Sequence, residues 1–164
     1  MVRIAHLTTV HQPLDARIFH KEAKALRQHG YDVSVIAQGT RSFTRDGIRI
    51  IPIRPSTSRV GRVTLTAYSM LAASLRVDAD IYHLHDPELI PLGFLLRLRG
   101  KAVIYDAHED LPHDVAAKEW IPRRLRPIVA QAATIALRAV GAYFSGIVAS
   151  VDAVAARFPK GRAV

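Results

Sequence analysis

The fold is decided by the stretch from Arg3 to Ala37, which reads RIAHLTTVHQPLDARIFHKEAKALRQHGYDVSVIA. It opens on a short apolar run that predicts a buried strand ending near Thr9. Asp15 can cap a helix whose apolar residues recur at spacings of three and four, and Gly30 is suited to end it. A second apolar run, from Asp32 to Ala37, predicts another strand. Strand, helix and strand with short connections predict a right-handed parallel unit.

The same alternation continues along the rest of the chain. Further strands are predicted at 47–53, 80–84, 101–106 and 145–149, and helices at 60–76, 87–99, around 125–139 and after Ser150. Pro127 is expected to kink the long helix or to mark its first turn, and Ser150 to cap the last helix. We therefore predict an α/β fold, a doubly wound Rossmann-like parallel sheet with helices on both faces, forming a single domain over residues 1–164.

Composition limits the classes of function. Hydrophobic residues make up 49% of the chain, enough for a sizeable core, and the absence of cysteine excludes disulfides, thiolate zinc sites and cysteine nucleophiles. The 23 basic residues outnumber the 14 acidic ones, for a formal net charge of +9. This balance favours an anionic partner, although a solvated, arginine-rich surface would look the same. The apolar runs are too short to span a membrane, and no targeting segment is visible.

Polar residues cluster where predicted strands end. Ligands of an open α/β sheet bind beyond the carboxyl ends of its strands, although short polar residues there also serve as helix caps. The candidates fall in three loops: Thr9, His11, Asp15 and Arg17 after the first strand, His85, Asp86 and Glu88 after 80–84, and His108 and Glu109 after 101–106.

Several well-known motifs are missing. No Gly-x-Gly-x-x-Gly or Walker loop follows the first strand, so dinucleotide or nucleotide binding by those motifs is unsupported. No Gly-x-Ser-x-Gly elbow occurs, which argues against a serine hydrolase. We expect no cofactor.

Three segments carry a family resemblance. They are DARIFHKEA at 15–23 leading to GYDV at 30–33, YHLHDPEL at 82–89, and VIYDAHED at 103–110. In order and spacing they resemble the N-terminal domain of family-4 retaining glycosyltransferases, particularly those that build capsular and other surface polysaccharides. The resemblance extends over essentially the whole chain.

The resemblance implies the GT-B architecture, in which two Rossmann-like domains enclose a cleft. It implies an acceptor, a sugar or a lipid-linked sugar, mainly on the N-terminal side, and a nucleotide-sugar donor mainly on a C-terminal domain that is absent here. It places His108 near the reacting carbon of the donor sugar, with Glu109 beside it. The loop from Thr8 to Arg17 would border the acceptor and the donor phosphates. We expect a cytoplasmic enzyme, soluble or attached peripherally to the inner face of the cell membrane.

Two departures from the family pattern matter. Many members carry a Gly-Gly pair in the first loop, close to the donor phosphates, and this loop has none. Arg17 is our candidate substitute for that contact. The family's glutamate pair, eight positions apart in the C-terminal domain, is also absent. We therefore expect the 164 residues alone to be inactive.

Charge and histidine content leave other interpretations open. Arg123, Arg124 and Arg126 form a basic stretch that could contact an anionic membrane. A metal-dependent hydrolase could use His83, His85 and Asp86 together with His108 and Glu109. A nucleic-acid-binding module is disfavoured because aromatic residues do not interleave with the arginines, so we expect no nucleic-acid partner. Since no third histidine has a fixed spacing, we also expect no metal.

Overall fold

A computed structural model of the chain describes residues 1–54, 66–108, 110, 111, 113, 115 and 121–164. The chain divides into two compact units, Met1–Val103 and Ile104–Val164. Part of the predicted helix at 60–76 lies outside the described residues, and so does Glu109.

The strands of the first unit form a mostly parallel sheet. They are β1 (Arg3–Leu7), β2 (Asp32–Gln38), β3 (Phe43–Arg45), β4 (Ile48–Ile53) and β5 (Ile81–Leu84). Their order is β3-β4-β2-β1-β5. β1 lies between β2 and β5 and pairs with both in parallel, and β4 pairs in parallel with β2. Starting from β1, the chain adds β2 and β4 on one side of it and β5 on the other. Because β1 and β5 are parallel neighbours, the loops that follow them leave the same edge of the sheet, at this switch in strand order.

Helices connect these strands. Residues Ile18–Ala23 form a π-helical turn that continues into α1 (Lys24–Gln28), α2 covers Ala67–Val77, and a short 3₁₀ turn at Pro87–Leu89 leads into α3 (Ile90–Leu98). Gly30, with φ of +88°, ends the first helical segment as the sequence predicts. Met70 of α2 is fully buried.

One strand was missed by sequence reasoning. β3 pairs antiparallel with β4 across a tight turn at Asp46 and Gly47, whose φ angles are +52° and +75°. Two consecutive residues with positive φ suit an Asp-Gly pair and give the twist that a hairpin needs. The strand is short and exposed, so it has no hydrophobic run that would reveal it.

The helical segment after β1 is fixed by its apolar face. Ile18, Phe19 and Ala23 are buried against residues of β2 and β4, with Leu14, Leu26 and Tyr31 packed around them. Burying a side chain the size of Phe19 stabilises the fold by about 1.5–3 kcal/mol. The segment is therefore anchored over β2 and β4, on the side of the sheet next to β1.

The remaining strands and helices lie in the second unit, apart from the first two residues of β6. They are β6 (Ala102–Ala107), α4 (Arg126–Tyr143), β7 (Gly146–Ala149) and α5 (Asp152–Ala155). β6 and β7 pair in parallel, with Tyr105 opposite Ile147. The strands and helices predicted here are confirmed, and Pro127 lies in the first turn of α4, where its missing N–H is harmless. The predicted α/β fold with a mostly parallel sheet is confirmed.

One detail of this unit differs from expectation. Val151, not Ser150, is the N-cap residue of α5, and Ser150 Oγ instead donates to the backbone carbonyl of His108 at 3.4 Å. On α4, the apolar residues Ile128 and Ile135 are 65% and 58% exposed, whereas Leu137 is buried. No helix among the described residues is long and apolar enough to cross a membrane.

Candidate functional site

A buried carboxylate joins the loops that follow β1 and β5. Asp86, only 3% exposed, accepts hydrogen bonds through Oδ2 from the Thr8 hydroxyl at 2.8 Å and from the Thr9 backbone N–H at 2.6 Å. The Thr9 hydroxyl lies 2.6 Å from Glu88 Oε1, to which it donates. Hydrogen bonds to an ionised acceptor are roughly twice as strong as neutral ones. The two loops are therefore held together, and Thr9, Asp86 and Glu88 are neighbours as the sequence predicts.

His11 lies between two carboxylates at this edge. Its Nδ1 is 3.4 Å from Asp15 Oδ2, and its Nε2 is 3.8 Å from Asp86 Oδ1. Its backbone N–H donates to the Thr8 hydroxyl at 3.0 Å, which fixes the backbone from which the ring projects. The side chain is 28% exposed, so a ligand can reach it. An imidazole held in this way can exchange hydrogen bonds or a proton with a polar ligand.

Asp15 caps the helical segment that comes next in the chain. Its Oδ1 accepts hydrogen bonds from the backbone N–H groups of Arg17 at 2.8 Å and Ile18 at 3.0 Å. Desolvation opposes ionisation of this carboxyl, but the hydrogen bonds from Ile18 and Arg17 outweigh it and lower the pKa of Asp15. Arg17 Nη1 is 3.9 Å from Glu22 Oε1, so the guanidinium lies against its own helical turn. A phosphate contact by Arg17 stays a prediction.

Three imidazoles pack together in the interior beside this edge. His6 of β1 is in register with His83 of β5, and His85 lies two residues beyond His83, so all three project to the same face. Their ring centroids are 4.5–5.2 Å apart. His6 Nδ1 and His85 Nε2 share a hydrogen bond of 2.9 Å, and both residues are fully buried.

Glu22 completes this cluster from the π-helical turn. Its Oε2 is 3.7 Å from Nδ1 of both His6 and His83, and 3.8 Å from His85 Nε2. Burial, together with the charges of His83 and His85, lowers the pKa of His6 well below its usual range. The His6 imidazole is therefore neutral near pH 7.

The sequence pointed to only part of the cluster. His83 and His85 were recognised from their spacing, whereas His6 and Glu22 were not. His6 could be found only from the register of two parallel strands, which the sequence does not state. Asp86 faces Thr8 and Thr9 instead of the imidazoles. The combination of His83, His85 and Asp86 considered for a metal-dependent hydrolase is therefore not one ligand set.

The second unit carries the other predicted residues. His108 follows β6, is partly buried, and accepts the Ser150 hydroxyl at its backbone carbonyl. Close to it in the chain, Asp110 Oδ2 is 2.7 Å from Arg157 Nη2, and hydrogen bonding to Arg157 lowers the pKa of Asp110. Glu109 lies outside the described residues, so its predicted role beside His108 stays a prediction.

The predicted basic stretch lies just before and at the start of α4. Arg123 and Arg124 are exposed, and Arg126 is partly buried, with its Nε donating to the Ile121 carbonyl at 3.0 Å. The two exposed cations can meet an external surface, while the third also fixes the approach to the helix.

Sequence comparison identifies the family. Residues 16–160 match the description Glycosyltransferase Family 4. The chain belongs to this family. The matched residues include the helical segment after β1 with its apolar face, the loop after β5, the loop after β6, and α4. No curated protein sequence matches the chain significantly.

Solved structures share the fold of this family-4 domain. Sucrose-phosphate synthase from Thermosynechococcus elongatus superposes with a TM-score of 0.73 at 12% identity, over 100% of this chain and 47% of its own. The trehalose-6-phosphate protein from E. coli, bound with UDP-2-fluoro glucose, gives 0.59 at 12% identity, over 95% of this chain and 41% of its own.

The same fold also occurs outside the transferases. UDP-N-acetylglucosamine 2-epimerase from Rickettsia bellii superposes with a TM-score of 0.57 at 6% identity, over 99% of this chain and 44% of its own. The fold alone therefore does not decide the reaction, whereas the family match names a class of enzyme, the glycosyltransferases. The chain spans less than half the length of each of these three proteins. It is a GT-B N-terminal domain of family 4.

Proposed function

We propose that the protein containing this chain transfers a sugar, of the hexose type and with retention of anomeric configuration, from a nucleotide-sugar to a polysaccharide, glycolipid or other sugar acceptor. The observation that carries the proposal is the family-4 match over residues 16–160. In this account residues 1–164 form one acceptor-side domain, and a further domain outside them binds most of the donor. No resident cofactor or nucleic-acid partner is part of the proposal.

The acceptor would bind at the edge formed by the loops after β1 and β5. Thr9, His11 and Glu88 place a hydroxyl, an imidazole and a carboxylate around Asp86. The Thr9 hydroxyl is hydrogen-bonded to Asp86 and to Glu88, and His11 Nε2 lies 3.8 Å from Asp86 Oδ1. Sugars are recognised by such groups because each hydroxyl both donates and accepts hydrogen bonds. The contacts to Asp86 fix these groups before a ligand arrives, which reduces the entropy lost on binding.

The members of this edge contribute in different ways. His11 is open enough to contact a sugar, and Asp15 orients it. His85 is fully buried and hydrogen-bonded to His6, so it would hold the end of β5 in place instead of touching the acceptor. Arg17, with a side chain 34% exposed, would meet a donor phosphate at this edge.

His108 would act at the donor sugar. Positive charge develops on the sugar ring as the nucleotide leaves, and a neutral imidazole or its backbone carbonyl can orient the ring hydroxyls there. His108 follows a strand end, which is where ligands of α/β folds bind. Glu109, next in the chain, would hold the imidazole in its orientation or cap the next helix.

A lipid-linked acceptor would bring the enzyme to a membrane. Exposed Arg123 and Arg124 adjoin α4, whose Ile128 and Ile135 are also exposed. Exposed cations next to an exposed apolar helix face are typical of peripheral attachment to anionic lipid. The enzyme would then work at the cytoplasmic face of the membrane.

The proposal is tested by assaying the full-length protein against a panel of nucleotide-sugars with oligosaccharide and lipid-linked acceptors. We expect transfer from at least one donor, and nuclear magnetic resonance of the first product should show the donor's anomeric configuration.

His11→Ala should raise KM for the acceptor about 10-fold, the effect of losing roughly 1.4 kcal/mol of binding. The control His29→Ala, at an exposed position after α1, should leave KM unchanged. Epimerisation or hydrolysis of the donor without transfer to any acceptor would contradict the proposal.

A further inference from the structure

Four potential metal ligands from three parts of the first unit meet in one place. His6 comes from β1, His83 and His85 from β5 and the residue after its end, and Glu22 from the π-helical turn. One ligand atom from each residue can be chosen so that all four lie within 4.8 Å of one another. His6, His83 and His85 are buried, and Glu22 is partly buried.

The distances between these atoms are close to those of a tetrahedral site. Zinc bonds of about 2.0–2.1 Å to nitrogen and oxygen place neighbouring ligand atoms about 3.4 Å apart. Glu22 Oε2 lies 3.7–3.8 Å from the three imidazole nitrogens, and His6 Nδ1 lies 2.9 Å from His85 Nε2. These values lie on both sides of the ideal edge, and all four ligand atoms lie within 4.8 Å of one another, so small movements of the side chains would bring them onto one ion.

The chemistry of the cluster suits a metal ion. The hydrogen bond between His6 Nδ1 and His85 Nε2 joins two of the four ligand atoms, and a bound ion would replace it. Three imidazoles and a carboxylate are, moreover, ligands that Zn²⁺ and neighbouring divalent ions prefer.

We propose that His6, Glu22, His83 and His85 bind one divalent transition-metal ion of the Zn²⁺ type, in a structural site. Four protein ligands fill a tetrahedral shell, which is typical of structural sites, whereas catalytic sites keep a position open. The ion ties the π-helical turn to the ends of β1 and β5, beside the loops that carry Thr9, His11 and Asp86. It stabilises that edge and takes no part in sugar transfer, so the inference stands independently of the proposed function.

The partly exposed carboxylate gives the ion a route of entry. The Glu22 side chain is 27% exposed, whereas those of His6 and His85 are fully buried. The exposed part of this side chain marks the side from which an ion can enter, although the ligand atom Oε2 is itself buried. Glu22 is also the ligand that can be changed with least disturbance of packing.

The site is tested by direct metal binding. The chain is freed of metal with a chelator and titrated with Co²⁺ and then with Zn²⁺, and its melting temperature is measured with and without each ion. We expect one equivalent of Co²⁺ to bind with the visible absorption of a tetrahedral complex, displacement by one equivalent of Zn²⁺, and a higher melting temperature with either ion. Absence of stoichiometric binding, or binding without a rise in melting temperature, would overturn the proposal.

Variants locate the ion. Glu22→Gln keeps the size of the side chain and should weaken Zn²⁺ binding at least about 10-fold, and His85→Gln about 100-fold. The control His29→Gln changes an exposed histidine whose Nδ1 lies 2.8 Å from the Ala25 carbonyl, and its affinity for Zn²⁺ should match that of the unchanged chain. If His85→Gln does not fold, Glu22→Gln decides the matter. Unchanged Zn²⁺ affinity in Glu22→Gln would place the ion elsewhere and refute the assignment.

Discussion

The carboxylate of Asp86 accepts a hydrogen bond of 2.6 Å from the backbone N–H of Thr9, although the two residues are 77 positions apart in the chain. Each lies just beyond a strand, Thr9 after β1 and Asp86 after β5, and these strands are neighbours in the sheet. The bond therefore joins the two loops that would receive the acceptor. Because Asp86 is almost fully buried, its removal would leave donors without a partner in the interior.

Asp86→Ala is expected to destabilise the fold by about 3 kcal/mol, since the Thr9 N–H and the Thr8 hydroxyl would both lose a charged acceptor. Chemical denaturation measures the loss. Asp86→Asn retains an acceptor oxygen and should lose less than half as much. Equal losses in the two variants would show that the negative charge, not the hydrogen bonds, determines the stability of this edge.

The relationship between Thr9 and Asp86 also shows what the sequence can predict. Both residues were identified as candidates because each follows an apolar run that predicts a strand, and strand ends in an α/β fold share one edge. The strands and helices could be predicted because apolar residues recur at regular spacings and because some glycines and prolines mark the ends of elements. Gly30 and Pro127 are examples.

Contacts that depend on how distant segments pair in the folded chain could not be predicted from the sequence. His6 joins His83 only because β1 and β5 pair in a register that brings the two residues opposite one another. Glu22 reaches them from a π-helical turn, where the carbonyl of Arg17 accepts from the N–H of Glu22, five residues on. Helical periodicity predicts an α-helix there, and nothing in the sequence signals the wider turn.

Tyr82 offers a test of the buried polar contacts in the first unit. Its hydroxyl donates to the Ser74 carbonyl at 2.8 Å and accepts from the Ala79 N–H at 2.9 Å, and the residue is 1% exposed. Tyr82→Phe leaves both backbone groups without this partner, so we expect a loss of about 2 kcal/mol at pH 8. Thermal or chemical denaturation provides the measurement.

The stabilisation that the Tyr82 hydroxyl provides should depend on pH. Burial raises the pKa of Tyr82, and this outweighs the opposing hydrogen bond from Ala79. The unfolded chain therefore releases the phenol proton first, at about pH 10, so the stabilisation is complete below that pH and decreases as the pH rises through the folded-state pKa. The difference in unfolding free energy between the native chain and Tyr82→Phe should shrink from about pH 8 to about pH 11. A constant difference would contradict the raised pKa.

His108→Ala tests the proposed contact with the donor sugar in the full-length enzyme. Loss of a positioning group should lower kcat/KM about 100-fold with little change in melting temperature. Loss of a helix cap would instead cost about 0.5–2 kcal/mol of stability. His113→Ala, at an exposed position in the same part of the chain, is the control and should change neither quantity. A variant of His108 that melts earlier but retains normal kcat/KM would refute the proposed role.

Membrane attachment is tested by reversing charge at two places. Arg123→Glu with Arg124→Glu should weaken binding to anionic vesicles about 30-fold at low salt, because each cation near the surface contributes about 1 kcal/mol. Arg41→Glu with Arg45→Glu changes two other exposed arginines and lowers the net charge by the same amount. Vesicle sedimentation should show that this control binds nearly as well as the unchanged protein. Equal weakening of vesicle binding by the two pairs of substitutions would show that binding depends on the net charge of the protein and not on Arg123 and Arg124 in particular.

The most direct test of the account compares the full-length protein with residues 1–164 in the same sugar-transfer assay, using the donor and acceptor that the full-length protein prefers. The full-length protein should form glycosylated product, and residues 1–164 should form none, because transfer requires donor and acceptor to be held together at reacting distance. Product formation by residues 1–164 alone would contradict the assignment of this chain as the acceptor-side half of a glycosyltransferase.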